Sequence, residues 1–117
     1  MLRVSVTLLF VCTAAGGAFA LDVTQSNTLE HVGQATAAAS LCSKIEIDTL
    51  LVSALLSVKN LNLEDPQQQK IAFKAASETR KSFADWKEDS ICVAAMMTYG
   101  PNGSVPGMLR WKTDNPQ

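Results

Sequence analysis

Apolar residues recur every three or four positions through most of this chain. From Thr28 to about Leu61 there is no proline and one glycine, Gly33, and the stretch is rich in Ala and Leu. Leu29, Val32, Thr36, Ala39 and Cys42 step at helical spacing, and Leu51, Leu55 and Val58 continue the stripe with Leu50 and Val52 thickening it. Ser26 or Asn27 is the expected N-cap. Thirty-four residues is long for one globular helix, so a bend or break is expected around Ala39 to Lys44. A strand at "IEIDTLLV" is the alternative there, because Ile45 and Ile47 flank Glu46.

"NLNLEDPQQQK" ends this unit and opens the next. Asp65 can cap free amides, Pro66 suits the first helical position, and Gln68 stands three after the cap to close a capping box. In the helix that follows, Ala72, Ala76, Thr79, Phe83 and Trp86 share one face, and Lys70, Lys74, Arg80, Lys81 and Lys87 keep mostly to the others. Phe83 and Trp86 are therefore expected to anchor the core. An uninterrupted helix would turn Cys92 away from Trp86. A break at "EDSIC" is predicted instead, with Asp89 or Ser90 capping a further helix from Ile91 to Tyr99. There Cys92, Ala95, Met96 and Tyr99 align, and Gly100 and Pro101 stop the helix.

The tail "GPNGSVPGMLRW" holds two turn signatures and four large apolar groups, Val105, Met108, Leu109 and Trp111. Two readings follow. Either the tail folds back over the core, or it presents an apolar loop to a partner through Tyr99, Asn102, Val105, Met108, Arg110 and Trp111. Met96, Met97 and Met108 offer adaptable packing in both. Asn102-Gly103-Ser104 matches a glycosylation sequon, set aside because a short single-domain chain with a compact signal is expected to be bacterial. The fold expected is all-α: a three- to four-helix domain with a Gly/Pro-rich C-terminal turn segment.

The first twenty residues change the picture. Arg3, the apolar run Val4 to Val11, and Ala18-Phe19-Ala20 before Asp22 have the anatomy of a secretory signal peptide, with an uncleaved anchor as the alternative. Cys12 belongs to that segment; bulky Phe10 and Val11 before it argue against a lipoprotein anchor. Cleavage leaves residues 21–117 as a single small domain of net charge −2, in a bacterial periplasm or secreted. No basic cluster suggests nucleic acid or an anionic membrane as target. Cys42 and Cys92 then remain, and in an exported chain two cysteines read as one disulfide, with buried free thiols or an intermolecular bridge as alternatives.

Trp86, Cys92 and Tyr99 through Ser104 resemble a segment of the LprI-type periplasmic lysozyme-inhibitor family, in which a tryptophan precedes a cysteine, then a tyrosine and a glycine-rich serine turn. Glu88-Asp89 stands where that family has an arginine–aspartate pair. In architecture the chain is also similar to the HdeA-type acid-stress chaperones, which are helical, exported and stapled by one disulfide. Both resemblances imply a protein-binding helper.

Chemistry for catalysis is sparse. His31 is the single histidine, expected to face solvent, with no thiolate or carboxylate arrangement for a metal site. There is no nucleophile elbow, no glycine-rich phosphate loop, no C-x-x-C and no C-x-x-C-H. Glu46-Asp48 and Asp85-Glu88-Asp89 read as solvated helix surface. Neither enzyme activity, metal nor cofactor is expected. A protein-binding role, inhibitor-like or chaperone-like, is the leading expectation, and a structural or accessory subunit of an envelope assembly is the alternative.

Overall fold

The computed structural model describes residues 20–113. The expected apolar signal run and its Ala18-Phe19 lie outside these residues, as does Cys12. Helix α1 spans Val23–Leu41. Its cap is Asp22, not Ser26 or Asn27: the Asp22 carboxylate accepts from the Gln25 amide at 2.7 Å, and Gln25 Oε1 accepts from the Asp22 amide at 3.1 Å. This reciprocal pair closes a capping box and starts the helix five residues before the expected point. The Gln25 amide and the Thr24 hydroxyl hold the Asp22 carboxyl below its usual range. Seven α1 residues are buried, Thr28, Leu29, Val32, Gly33, Ala35, Ala37 and Ala38, so α1 is the central rod of the fold.

The long apolar stretch is then broken by a strand rather than a bend. Strand β1, Ile45–Ile47, pairs antiparallel with β2, Leu109–Trp111, in the register Ile45↔Trp111, Glu46↔Arg110 and Ile47↔Leu109. The fold is thus mostly helical with a two-stranded ribbon, which corrects the all-α expectation. The cause is non-local: Ile45 and Ile47 are β-branched residues alternating about Glu46, and the tail supplies their partner strand 64 residues later. Arg110 Nε meets Glu46 Oε2 at 2.8 Å across the ribbon.

Helix α2, Thr49–Val58, follows at once, capped by Asp48 through the Leu51 amide at 3.1 Å. It ends at Asn60, whose φ of 58° lets the Leu61 amide return to the Leu56 carbonyl at 2.8 Å. Helix α3, Pro66–Ser82, starts as predicted with Asp65 accepting from the Gln68 amide at 3.1 Å. The second arm of that box is absent. Gln68 Oε1 takes the Asn62 amide instead, because the Asp65 amide is already bonded to the Asn62 carbonyl.

α3 stops before Phe83, and the chain turns through residues 83–87 before helix α4, Glu88–Tyr99. A break is present but earlier than expected: it lies at residues 83–87, "EDSIC" is already helical, and neither Asp89 nor Ser90 caps α4, since Lys87 occupies that position without a side-chain bond. The first-turn acids reach outward to the turn after α1. Glu88 Oε2 accepts from Ser43 N and Oγ, both at 2.7 Å, and Asp89 pairs with Lys44 at 3.2 Å. Beside them the Cys42–Cys92 disulfide ties α1 to α4, with the two Cα atoms 5.4 Å apart. The core gathers Val32, Ala35, Ala38, Ile45, Val52, Ala95, Tyr99, Met108 and Leu109 around that bridge. No helix of the described residues is long and apolar enough to cross a membrane.

Candidate partner-binding surface

The tail folds back over the core. Ser104 N bonds the Met97 carbonyl at 3.2 Å and Val105 N the Thr98 carbonyl at 2.7 Å, so the "GPNGS" turn wraps the end of α4. Met108 is buried, and Val105 and Trp111 pack half-buried against the core. Arg110 is exposed but held by Glu46, and Asn102 is exposed on its turn. Of the six residues expected to form one partner-binding loop, Tyr99 and Met108 are buried, Val105 and Trp111 are half-buried, and Asn102 and Arg110 are exposed. A chain this short uses its tail's apolar groups to finish the core.

Tyr99 is only 5% exposed. Its hydroxyl donates to Gln34 Oε1, leaving the oxygen to accept from His31 Nδ1 at 2.9 Å. His31 is thus half-buried and engaged, not solvent-facing as expected, with its ring edge-on to Tyr99 at 5.7 Å. Burial pushes the Tyr99 phenol up to about 12. The group is a neutral post joining α4 to α1.

The exposed apolar groups lie elsewhere. Trp86, on the turn before α4, and Val93 and Met97, four residues apart on the outer face of α4, are 49%, 55% and 71% exposed. Trp86 was expected in the core, but α3 ends before the periodicity can carry it there. It stands instead edge-on to Phe83, centroids 4.8 Å apart, on the turn between helices. On one side of it is a cleft of about 300 Å³ reaching past Phe83, Thr79 and Ala94 to Tyr99 and Gln34. On the other is an open hollow lined by Asp89, Ser90, Val93, Ala94 and Met97. The sequence did carry a signal for this face: α4 is apolar on both sides, and a helix this small cannot bury both.

A second bare surface lies on α2. Leu50 and Val58 are 82% and 77% exposed, Val52 is its one buried residue, and no charge interrupts Thr49–Val58. A third grouping is chemical: Cys42, Cys92 and Glu88 bring their side-chain ends within 4.8 Å of one another. With the sulfurs joined to each other, no thiolate is offered to a metal. The Glu88 carboxyl, drawn below its usual range by the Ser43 amide and hydroxyl, serves as the tie between α4 and the turn after α1.

No protein-family model, characterised protein or solved structure matches this chain.

Proposed function

We propose that this chain is a small exported protein that binds another protein through the α4 face centred on Trp86. The observation that carries the reading is the exposed row of Trp86, on the turn just before α4, with Val93 and Met97 on α4 itself, a helix whose ends are both pinned. A half-exposed tryptophan between two concavities has the character of an interface anchor: large, rigid and amphipathic. Export is supported by the apolar run and small-residue site of the first twenty residues, together with a disulfide suited to an oxidising compartment. The likeness to inhibitor and chaperone families points the same way.

The alternative role, an accessory subunit of an envelope assembly, draws on α2. Its charge-free outer face is separate from the Trp86 row, and a subunit held between two neighbours needs two such faces. One experiment separates these roles. Proteins crosslinked to the wild-type chain in the native envelope are compared with those recovered using Met97→Glu and Leu50→Glu. A binder working through α4 loses its stoichiometric partner with Met97→Glu and keeps it with Leu50→Glu. Loss with both supports the subunit role, and retention with Met97→Glu refutes the proposed face.

A further inference from the structure

Another concavity has no part in that surface. It is a groove of about 530 Å³ between α1 and α3, with Val32, Gly33, Ala72 and Ala76 on its floor side and Leu63, Phe73, Thr36, Gln69 and Arg80 around it. Its shape follows from the sequence. A Cβ on Gly33 would lie 2.1 Å from the Ala72 carbonyl oxygen, so the two helices touch backbone to backbone there. Around such a contact the small side chains Ala72 and Ala76 leave a trough instead of an interlocked seam. On α3 the lining positions 69, 72, 73, 76 and 80 recur at helical spacing, so the trough runs along the helix.

Three properties define what fits. Gln69 and Arg80 are eleven residues apart, which on a helix is roughly 16 Å. The groove, about 530 Å³ and open along one side, is wide enough over that length to take an alkyl chain. The walls are mostly apolar, and Phe73, 64% exposed, stands along them as an uncovered ring. Arg80 is the single charged residue of the lining, and among the described residues no carboxylate pairs with it. A chain-shaped apolar trough with one unpaired guanidinium at its end complements a ligand with one tail and one anionic head.

We infer that the α1–α3 groove binds a single-chain amphiphile, its aliphatic tail along Val32, Ala72, Phe73 and Ala76 and its anionic head group on Arg80. The length matches an extended chain of about thirteen carbons, since bonds of about 1.5 Å at near-tetrahedral angles each advance the chain by roughly 1.25 Å. A carboxylate and a phosphate monoester both meet the guanidinium as a two-oxygen acceptor. This inference is independent of the Trp86 face.

Titration calorimetry of the disulfide-bonded protein tests it, with dodecanoate, monododecyl phosphate and dodecyltrimethylammonium, each below its micelle-forming concentration. Saturable one-to-one binding is expected for an anionic amphiphile, at least about tenfold tighter than for the cationic one. The tighter of the two anions identifies the head group. Arg80→Gln should weaken the anion about tenfold and remove the preference for its charge. Phe73→Ser, also at an exposed position, should weaken anion and cation alike. Thermal melts of both variants monitor the fold. Absence of saturable binding, equal affinity for anion and cation, or affinity unchanged by Arg80→Gln would overturn the inference. So would displacement of dodecanoate by a lower concentration of an apolar peptide with a free C-terminal carboxylate.

Discussion

Gly33→Ala decides whether α1 and α3 meet as described, because two physical effects give it opposite signs. By intrinsic propensity, alanine in a helix interior is favoured over glycine by about 1 kcal/mol. In this fold, however, the new methyl would sit 2.1 Å from the Ala72 carbonyl oxygen, 2.9 Å from its carbon and 3.2 Å from the Ala72 Cα. The obstacle is helix backbone, so no rotamer change relieves it. Restoring ordinary contact requires the helices to part by more than an ångström. A gap of that size forfeits about half of each dispersion contact it opens. Overpacking of this kind costs about 1–3 kcal/mol, and a rigid obstacle places it at the top of that range.

The net expectation is destabilisation by about 2 kcal/mol, a fall in melting temperature of about 8–16 °C for a domain of this size. Circular dichroism melts and urea titrations measure it. Asn27→Ala, exposed on the same helix, serves as the control in which propensity acts alone, and it should stabilise by a few tenths of a kcal/mol. A Gly33→Ala protein as stable as the wild type, or more so, would refute the α1–α3 contact and with it the groove that the contact shapes.

Two further outcomes follow from the same core. Cys42→Ala/Cys92→Ala releases a bridge closing a separation of 50 residues, worth about 4 kcal/mol in the chain-entropy account; the melting temperature should fall by about 15 °C or more, and a drop under about 5 °C would contradict that account. Tyr99 is the single tyrosine, so phenolate absorbance reads it directly: the midpoint should lie near 12 rather than 10. Because the folded-state value is raised, its contribution to stability is complete below pH 10 and is lost as pH rises towards 12; a midpoint near 10 in the folded protein would show that the phenol is solvated.

What could be read from the sequence was what depends on near neighbours or on counting. Asp65-Pro66 set the start of α3, helical phase showed that a break must precede Cys92 although not that it falls at residues 83–87, and two cysteines gave one intramolecular pairing. The cap of α1 was equally local, since Asp22 and Gln25 stand at capping-box spacing, but it lies beside the expected cleavage point and before any apolar periodicity. Ile45-Glu46-Ile47 was legible as an alternative strand, but the ribbon was not, because its partner Leu109–Trp111 returns from far along the chain. Trp86 misled for a related reason. Helical spacing from Ala72 to Trp86 implies a shared face only if the helix continues, and α3 ends at Ser82. The His31–Tyr99 contact joins residues 68 apart, beyond the reach of any spacing argument.

The ties around α4 bear on which kind of binder the chain would be. At its first turn α4 is fixed by the disulfide, by Glu88 on Ser43 and by Asp89 on Lys44. At its last turn it is fixed by Tyr99 against His31 and Gln34, and by the loop bonded to the Met97 and Thr98 carbonyls. Val93 and Met97 thus sit on a helix held at both ends, with Trp86 on the turn that leads into it, and their apolar surface is already uncovered. A chaperone that acts on demand would keep such a surface covered until a switch released it. A surface fixed before the partner arrives loses little conformational freedom on binding, so more of its buried area converts to affinity. Under the proposed role, the pinned helix weighs towards an inhibitor-like or subunit-like contact of defined shape and away from a chaperone that unfolds to bind.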